Sequence, residues 1–389
     1  MTAEFWLTLV LLVLIFLPLH SYVLYPLIMR CVALAICYRP PIDHSTPSVS
    51  IIISAYNEEN NIRTRVQNLL EQDYDLEKME ILIGSDCSDD GTNAILLELQ
   101  EQYPGQIRTF LFRERRGKAG VVNDLVEQAR HDIVIFTDAN TEFTPGAIRQ
   151  LVAGYADPEL GGVSGRIFFH ESTRASRAGV EEGNYFEYDS FIKKSEGNCG
   201  TLIGAFGGFF SIRKKLYRPI PLALAVTDDL YISLSVLSSG YTLRYKPEAI
   251  AHEESAPGIE QEYRRKVRYS ATNFQTILYF GDLLFNQNIL LSYALWSHKV
   301  IRWITPLLLP IIFFLSLTLK GTNQLIDIFL LLQLALYVAA ALGYILSRFG
   351  IRIIFFSLPY YFVVTNVAVL AGLWKFLRGK HTIIWQPAR

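Results

Sequence analysis

Apolar and polar positions divide the chain of 389 residues into three zones. From Phe5 to Met29 it reads FWLTLVLLVLIFLPLHSYVLYPLIM, without Lys or Arg, which is longer than the ~20 residues needed to cross hydrocarbon. Three more apolar runs, Trp303–Leu319, Leu325–Leu346 and Ile353–Leu377, lie near the other end. Pro306, Pro310 and Pro359 fall inside them and are tolerable where neighbouring helices re-satisfy the backbone. In the middle, β-type runs at Val49–Tyr56, Glu80–Asp86, Ile107–Glu114 and Asp132–Ala139 alternate with helical patterns near Glu59–Gln72, Asp90–Gln102 and Lys118–Arg130. Such alternation predicts an α/β domain on a mostly parallel sheet, and near-continuous apolar strands fit a sheet covered on both faces. The expected domains are an N-terminal anchor with an interfacial helix over 1–38, an α/β domain over 39–280, and an interfacial segment with about three transmembrane helices over 281–389.

Composition agrees with this division. A hydrophobic fraction of 51% and a mean hydropathy of +0.24 are high for a wholly aqueous protein, and the excess sits at the two ends. The start, MTAE, lacks the basic residues of a signal peptide, so the first run is expected to remain as an anchor. Lys and Arg gather at Arg30 and Arg39, through Arg264–Arg268, at Lys299 and Arg302, at Arg348 and Arg352, and at Lys375–Lys380, which puts the middle domain on the cytoplasmic side of a multi-pass inner or plasma membrane protein. One span before that domain and three after it would leave the C-terminus outside, whereas the basic tail KFLRGKHTIIWQPAR prefers the inside. Either one run is re-entrant or the tail crosses despite its charge. A net charge of −1 gives no footprint for nucleic acid. The cysteines, Cys31, Cys37, Cys87 and Cys199, form no CxxC pair and fit a reducing compartment.

The polar residues of the middle zone fall at strand ends. Tyr56, Asn57 and Glu58 follow the first strand, Asp86 closes the second and Asp138 the fourth, with Asn140 two residues on. Ligands of open α/β sheets bind at this edge. Asp and Asn are also ordinary turn formers, and Ser88 or Asp89 can cap the helix that follows. Lys118 follows Gly117 at a helix start, a favourable place for an anion such as diphosphate. Asp228 and Asp229 open a later helical run, where mutual repulsion can raise one carboxyl into the range of a general base.

The series SAYNEE, SDCSDDGT, RGKAGVVND, TDAN, GAFGGFFSIR, TDDL and RRKVRY, in that order over roughly 48–275, resembles the membrane-embedded family-2 glycosyltransferases. These include the cellulose, chitin and hyaluronan synthases and the bacterial chitooligosaccharide synthases, and they share a GT-A fold. The resemblance implies that Ala55, Tyr56 and Glu58 line the pocket for the donor's base and that Asp86 binds the uridine part. It assigns Lys118 to the diphosphate, and Asp138 with Asn140 to a divalent metal, Mg2+ or Mn2+, at the DxD position. There the second acid is replaced by Asn140, whose amide oxygen can ligate but brings no charge. Asp229 becomes the general base, with Asp228 in support, and Gly207 and Gly208 border the acceptor. RRKVRY stands where processive members carry QxxRW: Arg265 replaces Gln, Arg268 keeps the diphosphate-binding Arg, and Tyr269 replaces Trp as the sugar-stacking ring.

The resemblance therefore implies an inverting transferase that moves a sugar from a UDP-sugar to a glycan or lipid-linked acceptor at the bilayer, in polysaccharide or cell-envelope synthesis, with room for partner proteins of that process. The departures at Arg265 and Tyr269 keep open transfer of one sugar to a membrane lipid. A non-catalytic membrane subunit with a sugar-nucleotide fold is the remaining alternative. The spans hold no ionisable cluster of the kind that marks a transport pathway.

Overall fold

The computed structural model describes residues 3–36, 46–170, 177–254, 259–351 and 353–379. Arg39, the boundary placed at 38/39 and the basic tail beyond Gly379 lie outside the described residues. The described residues form two compact units, one from those within 29–257 and 275–291, the other from those within 1–28, 258–274 and 292–381.

The elements in chain order begin with helix α1 (Ala3–Ile36). There follow β1 (Val49–Ala55), α2 (Ile62–Leu70), β2 (Met79–Asp86), α3 (Thr92–Gln102), β3 (Ile107–Phe112), α4 (Gly117–Gln128), β4 (Ile133–Thr137) and β5 (Glu142–Phe143). Next are α5 (Ala147–Val152), β6 (Leu160–His170), α6 (Arg177–Asn198), β7 (Phe209–Arg213), α7 (Asp228–Ser238), β8 (Thr242–Glu254) and α8 (Ile259–Tyr279). Three long helices close the chain: α9 (Ile289–Thr318), α10 (Gln324–Arg348) and α11 (Ile354–Leu377).

The first unit is built on an eight-stranded sheet in the order β3-β2-β1-β4-β7-β6-β8-β5. Its first four strands are parallel, with Ile51 opposite both Ile81 and Ile135. All eight residues of β2 are buried, which explains why that strand is apolar without alternation. Beyond β4 the sheet is mixed: β7 runs antiparallel to β4 and β6, β6 runs parallel to β8, and the short β5 pairs antiparallel with β8. Across the β4–β7 pair the rings of Phe136 and Phe210 stack at 4.8 Å. GAFGGFFSIR is therefore a strand only from Phe209, and its glycines form the loop before it, with Gly204 at a φ of +81°. A left-handed backbone there cannot continue a ladder.

In the second unit α1, α9, α10 and α11 are long and apolar enough to cross a membrane. Leu11, Leu308, Ile312, Leu319 and Ile326 make a buried cluster. Both α1 and α9 contain a wide π-type turn, at His20–Leu24 and Leu295–Val300. Such turns leave carbonyls with altered partners; Arg302 Nη2 donates to the Ser21 carbonyl at 3.2 Å, and His20 Nε2 meets Ser297 Oγ at 3.1 Å. Helix α9 begins well before the apolar run at Trp303, so Arg302 lies inside a candidate span rather than flanking it.

Close approach of α4 to the sheet depends on Gly84 in β2, where a Cβ would collide with Val121 Cγ1 and lie 3.3 Å from Leu125 Cδ1. Gly84→Val is expected to cost about 1–3 kcal/mol by overpacking. The check is the thermal midpoint of the detergent-solubilised protein, and an unchanged midpoint would contradict this packing.

Candidate active site

The loops that leave β1 and β2 are joined side by side. Asn57, at a φ of +55°, donates from its backbone to Ser88 Oγ (3.1 Å) and from Nδ2 to Asp89 Oδ1 (2.6 Å), and its Oδ1 accepts from Asp89 N (3.0 Å). Glu58 N donates to Thr92 Oγ1 at 2.8 Å, and Gly91 N donates to Glu59 Oε2 at 2.8 Å. Neither Ser88 nor Asp89 caps α3: its N-cap is Gly91, without a side-chain cap bond, and Asp90 Oδ1, just before it, accepts from Thr92 N at 3.0 Å. Ser88 and Asp89 are engaged by Asn57 instead, because that loop needs its own amides satisfied.

Asp86 ends β2 with its carboxylate 2% exposed. It accepts from Arg116 N (2.6 Å), Gly117 N (3.0 Å) and Arg115 Nε (3.0 Å), and so anchors the start of α4. The Arg115 guanidinium lies 3.4 Å from the centre of the Tyr56 ring, and Ala55 is buried beneath at the end of β1. Glu58 accepts from Asn61 Nδ2 at 2.7 Å. The sheet edge thus gathers Ala55, Tyr56, Glu58 and Asp86, with Arg115 added to them.

Anchoring α4 in this way aims Lys118 across the edge. Its Nζ lies 2.7 Å from Asp138 Oδ1, just past β4, and 3.0 Å from Asp228 Oδ2, at the first residue of α7. Burial works against the ammonium, but Asp138 and then Asp228 outweigh it and hold Lys118 well above the usual lysine range. Asp228 shows the reverse balance: burial opposes its charge, and Lys118 overcomes that and holds the carboxyl below the ordinary aspartate value. Behind Asp138, the buried Arg65 donates to Thr137 Oγ1 at 2.9 Å and covers the Phe143 ring at 4.0 Å.

Asp229, the next residue, behaves differently. Burial first, and the charge of Asp228 second, push its carboxyl up to about 6, while Leu230 N, Lys118 and Lys193 pull the other way. Leu230 N donates to Asp229 Oδ1 at 2.6 Å. Gly207 lies against this carboxylate, since a Cβ there would come within 3.1 Å of Asp229 Oδ2, and a Cβ on Gly208 would come within 2.9 Å of Thr141 Oγ1. One acid is thus held charged and its neighbour is made basic.

Among the described residues, no three of His, Cys, Asp and Glu stand together as a protein-only metal cage. A Mg2+-type site completed by phosphate oxygens needs only one or two carboxylates. Asp138 and Asp228 already converge on one cation, the Lys118 ammonium, so their oxygen donors suit a hard divalent ion. Asn140 is exposed and donates from Nδ2 to Glu253 Oε1 at 3.3 Å. Arg265, Arg268 and Tyr269 lie on α8 within the other unit. There Arg265 Nη2 pairs with Glu262 Oε2 at 2.5 Å, and the Arg268 guanidinium lies 4.9 Å from the Tyr269 ring centre.

Sequence reasoning missed Arg115, Arg65, Glu253 and Lys193. Arg115 was adjacent to a motif and could have been found from it. Lys193 carries only an Asp-x-x-x-Lys spacing with Asp189, which reads as a surface ion pair until its burial is known.

Residues 50–220 match the family model described as glycosyl transferase family 2. Among curated proteins, the poly-beta-1,6-N-acetyl-D-glucosamine synthase of Staphylococcus aureus (strain MSSA476) is 26% identical over 242 residues, 59% of this chain and 55% of that protein. Its counterpart from Staphylococcus epidermidis is 23% identical over 235 residues. The chain thus spans about half the length of the curated relatives it matches. Among solved structures, a mannosyltransferase from Pyrobaculum calidifontis in complex with GDP-Man and Mn2+ superposes with a TM-score of 0.70 at 18% identity, covering 96% of this chain and 100% of that one. That likeness establishes the GT-A-like fold.

The joined loops make Asn57 a structural test. Asn57→Val removes the side-chain bonds to Asp89 and puts a β-branched residue at positive φ, a combination expected to cost about 2–4 kcal/mol. Asn57→Gly, which accepts that backbone, is expected to cost less than Asn57→Val. Thermal midpoints of the two variants provide the check, and equal losses would refute the backbone argument.

Proposed function

We propose that this chain, which carries a glycosyltransferase family 2 domain, is an inverting transferase that moves a sugar from a UDP-sugar to a glycan or lipid-linked acceptor at a membrane. The observation that supports this best is the constellation at the sheet edge: Lys118 between Asp138 and Asp228, with Asp229 beside them against Gly207. The polymer-forming relatives make N-acetylglucosamine the first donor sugar to test, in polysaccharide or envelope synthesis.

In this reading Ala55, Tyr56, Glu58 and Asp86 receive the base and ribose, and Arg115 covers the Tyr56 face. Lys118 exchanges part of its contact with Asp138 for the diphosphate and neutralises charge as that group leaves. A divalent ion bound with the donor would be held by Asp138, with Asn140 as an amide-oxygen ligand, and would offset the same charge. Asp229 takes the proton from the acceptor hydroxyl as its oxygen attacks the anomeric carbon. The bond from that carbon to the diphosphate oxygen breaks, and the nucleoside diphosphate departs with the electron pair. Gly207, which lies against the Asp229 carboxylate, and Gly208 border the acceptor in this reading. The motif resemblance assigns Arg268 to the diphosphate and Arg265 and Tyr269 to the acceptor. Basic residues beside the spans support a cytoplasmic position for the transferase domain.

A second reading, transfer of a single sugar to a membrane lipid, draws on α8. Arg265 is held by Glu262 where processive members carry a neutral Gln, and Tyr269 is a smaller ring than Trp. Product length with labelled donor separates the two, because one sugar per acceptor excludes a polymerase.

A panel of UDP- and GDP-sugars scored by nucleotide release tests the donor. Asp229→Asn is expected to lower transfer about 10²–10⁴-fold, with UDP affinity nearly unchanged. Wild-type turnover in that variant would remove Asp229 as base. In the wild type, transfer should fall about tenfold per pH unit on the acid side of about 6, where Asp229 becomes protonated. A rate that stays flat from pH 7 to pH 5 (on the order of a tenfold change being expected) would contradict that role.

A further inference from the structure

The sheet edge opposite Asp138 is also built from buried polar groups. There the turn from α4 into β4 is pinned by neighbouring strands. Glu80 on β2, 4% exposed, accepts from Arg130 N at 2.6 Å. Ser50 on β1 accepts from His131 N at 3.1 Å and donates to the same Glu80 Oε1 at 2.6 Å. The Asp132 carbonyl accepts at 2.7 Å from Lys214 N, just past β7. Beside this turn lies a cavity of about 440 Å³ that the mechanism above does not use, lined by Arg130, His131, Asp132, Tyr155 and Arg213 among others.

Arg213 is ordered before any ligand arrives. Its Nε donates to the Leu160 carbonyl (2.7 Å), and its Nη2 donates to those of Tyr155 (2.8 Å) and Asp157 (2.9 Å). The guanidinium also lies 5.3 Å from the centre of the Tyr155 ring. Its Nη1 has no hydrogen-bond partner among the described residues, and it is not among the atoms sealed from solvent. Arginines on a surface turn are usually only solvated. Here the entropy of fixing the side chain is already met by three backbone carbonyls, and one nitrogen of a rigid fork is left over.

The charges of the lining do not cancel. Asp132 forms no ion pair with Arg130, His131 or Arg213 among the described residues. Arg130 Nε lies 3.9 Å from Glu80 Oε2, and that same oxygen is taken by Arg108 Nη1 at 3.1 Å. Two arginines and a histidine against one acid leave an excess of one or two positive charges. A phosphate monoester, at about −1.5 to −2, complements that excess and has oxygens to share among several donors, whereas a carboxylate is matched by a single guanidinium. The volume falls within the ~300–1,000 Å³ of small-molecule sites, which gives space for more than the phosphate group.

We propose that this cavity is a second anion site, at the far end of the strands from the donor site, and that it takes a small phosphate-bearing molecule through Arg213, Arg130 and His131. The sugar phosphates and mononucleotides share this chemistry, and the test separates them.

Full-length protein in detergent, free of divalent metal, is titrated calorimetrically with inorganic phosphate, glucose 6-phosphate and UMP, with acetate as control. Lys118→Ala removes the anion contact of the donor site and should still bind one equivalent of phosphate or of a phosphate ester. Adding Arg130→Ala and His131→Ala should weaken that binding about tenfold or more, since each loses a charge-assisted contact. Arg213 is left in place because it supports three carbonyls of the fold. Tighter binding of glucose 6-phosphate or of UMP than of inorganic phosphate identifies which class the cavity reads. If Lys118→Ala does not fold, Arg130→Ala/His131→Ala is compared with wild type and must bind one equivalent fewer. Absence of saturable phosphate binding to Lys118→Ala overturns the proposal, as does binding that is indifferent to Arg130 and His131. Acetate binding as tight as that of phosphate overturns the assignment to phosphate.

Discussion

The ammonium of Lys118 between two carboxylates is the contact on which the rest of the site depends. Asp138 comes from the end of a central parallel strand, and Asp228 from a helix more than eighty residues later in the sequence. One cation therefore ties the parallel half of the sheet to the half built on β7, β6 and β8. Two carboxylates facing one point would repel without it, and the like charge would raise at least one of their pKa values. Its own position is inherited: Asp86 takes the first amides of α4 and fixes the helix start, so the carboxylate that closes β2 decides where the lysine at that helix start can reach. A donor diphosphate entering here would replace one anionic partner with another, which keeps the lysine charged and the reorganisation small.

Much of the remaining polar architecture serves to keep loops still. The β1 and β2 loops are joined through Asn57, Ser88, Asp89 and Thr92, and the segment 203–206 is held by Lys193, Glu196, Ser164 and Ser233. Backbone amides buried in loops must find partners, and here side chains supply them. The consequence is a sheet edge whose polar side chains are held in place by the fold, the kind of preorganisation that electrostatic catalysis draws on in the proposed reading.

The parallel half of the sheet was legible because its signal is local. Four apolar runs with helical segments between them fall within a few residues of β1 to β4, and the acids at their ends are where the sequence puts them. The mixed half was less legible. Nothing local in GAFGGFFSIR marks where its strand begins: Gly204 adopts a left-handed backbone and the strand starts only at Phe209, with Ser164 and Ser233, distant in sequence, holding the loop before it. The capping prediction failed for a related reason, since Ser88 and Asp89 are claimed by Asn57 more than thirty positions earlier. Lys193 was invisible because an Asp and a Lys four apart look alike on a solvated face and in a core. Burial is a property of the whole fold, and local spacing does not report it.

The adjacent acids of TDDL show what that wider context adds. Their side chains are chemically identical and open the same helix, so sequence alone treats them as a repelling pair with one member raised. The fold decides which. Asp228 meets Lys118 directly and is held charged, whereas Asp229 receives only weaker help from Lys118 and Lys193 and carries the cost of burial beside a fixed negative neighbour. The same lysine thus lowers one acid and, by keeping it ionised, raises the other. Environments that separate two like groups in this way divide the labour between them. In the proposed reading Asp228 belongs to the charged frame around the donor, and Asp229, raised to about 6, is the member able to accept a proton and give it up again.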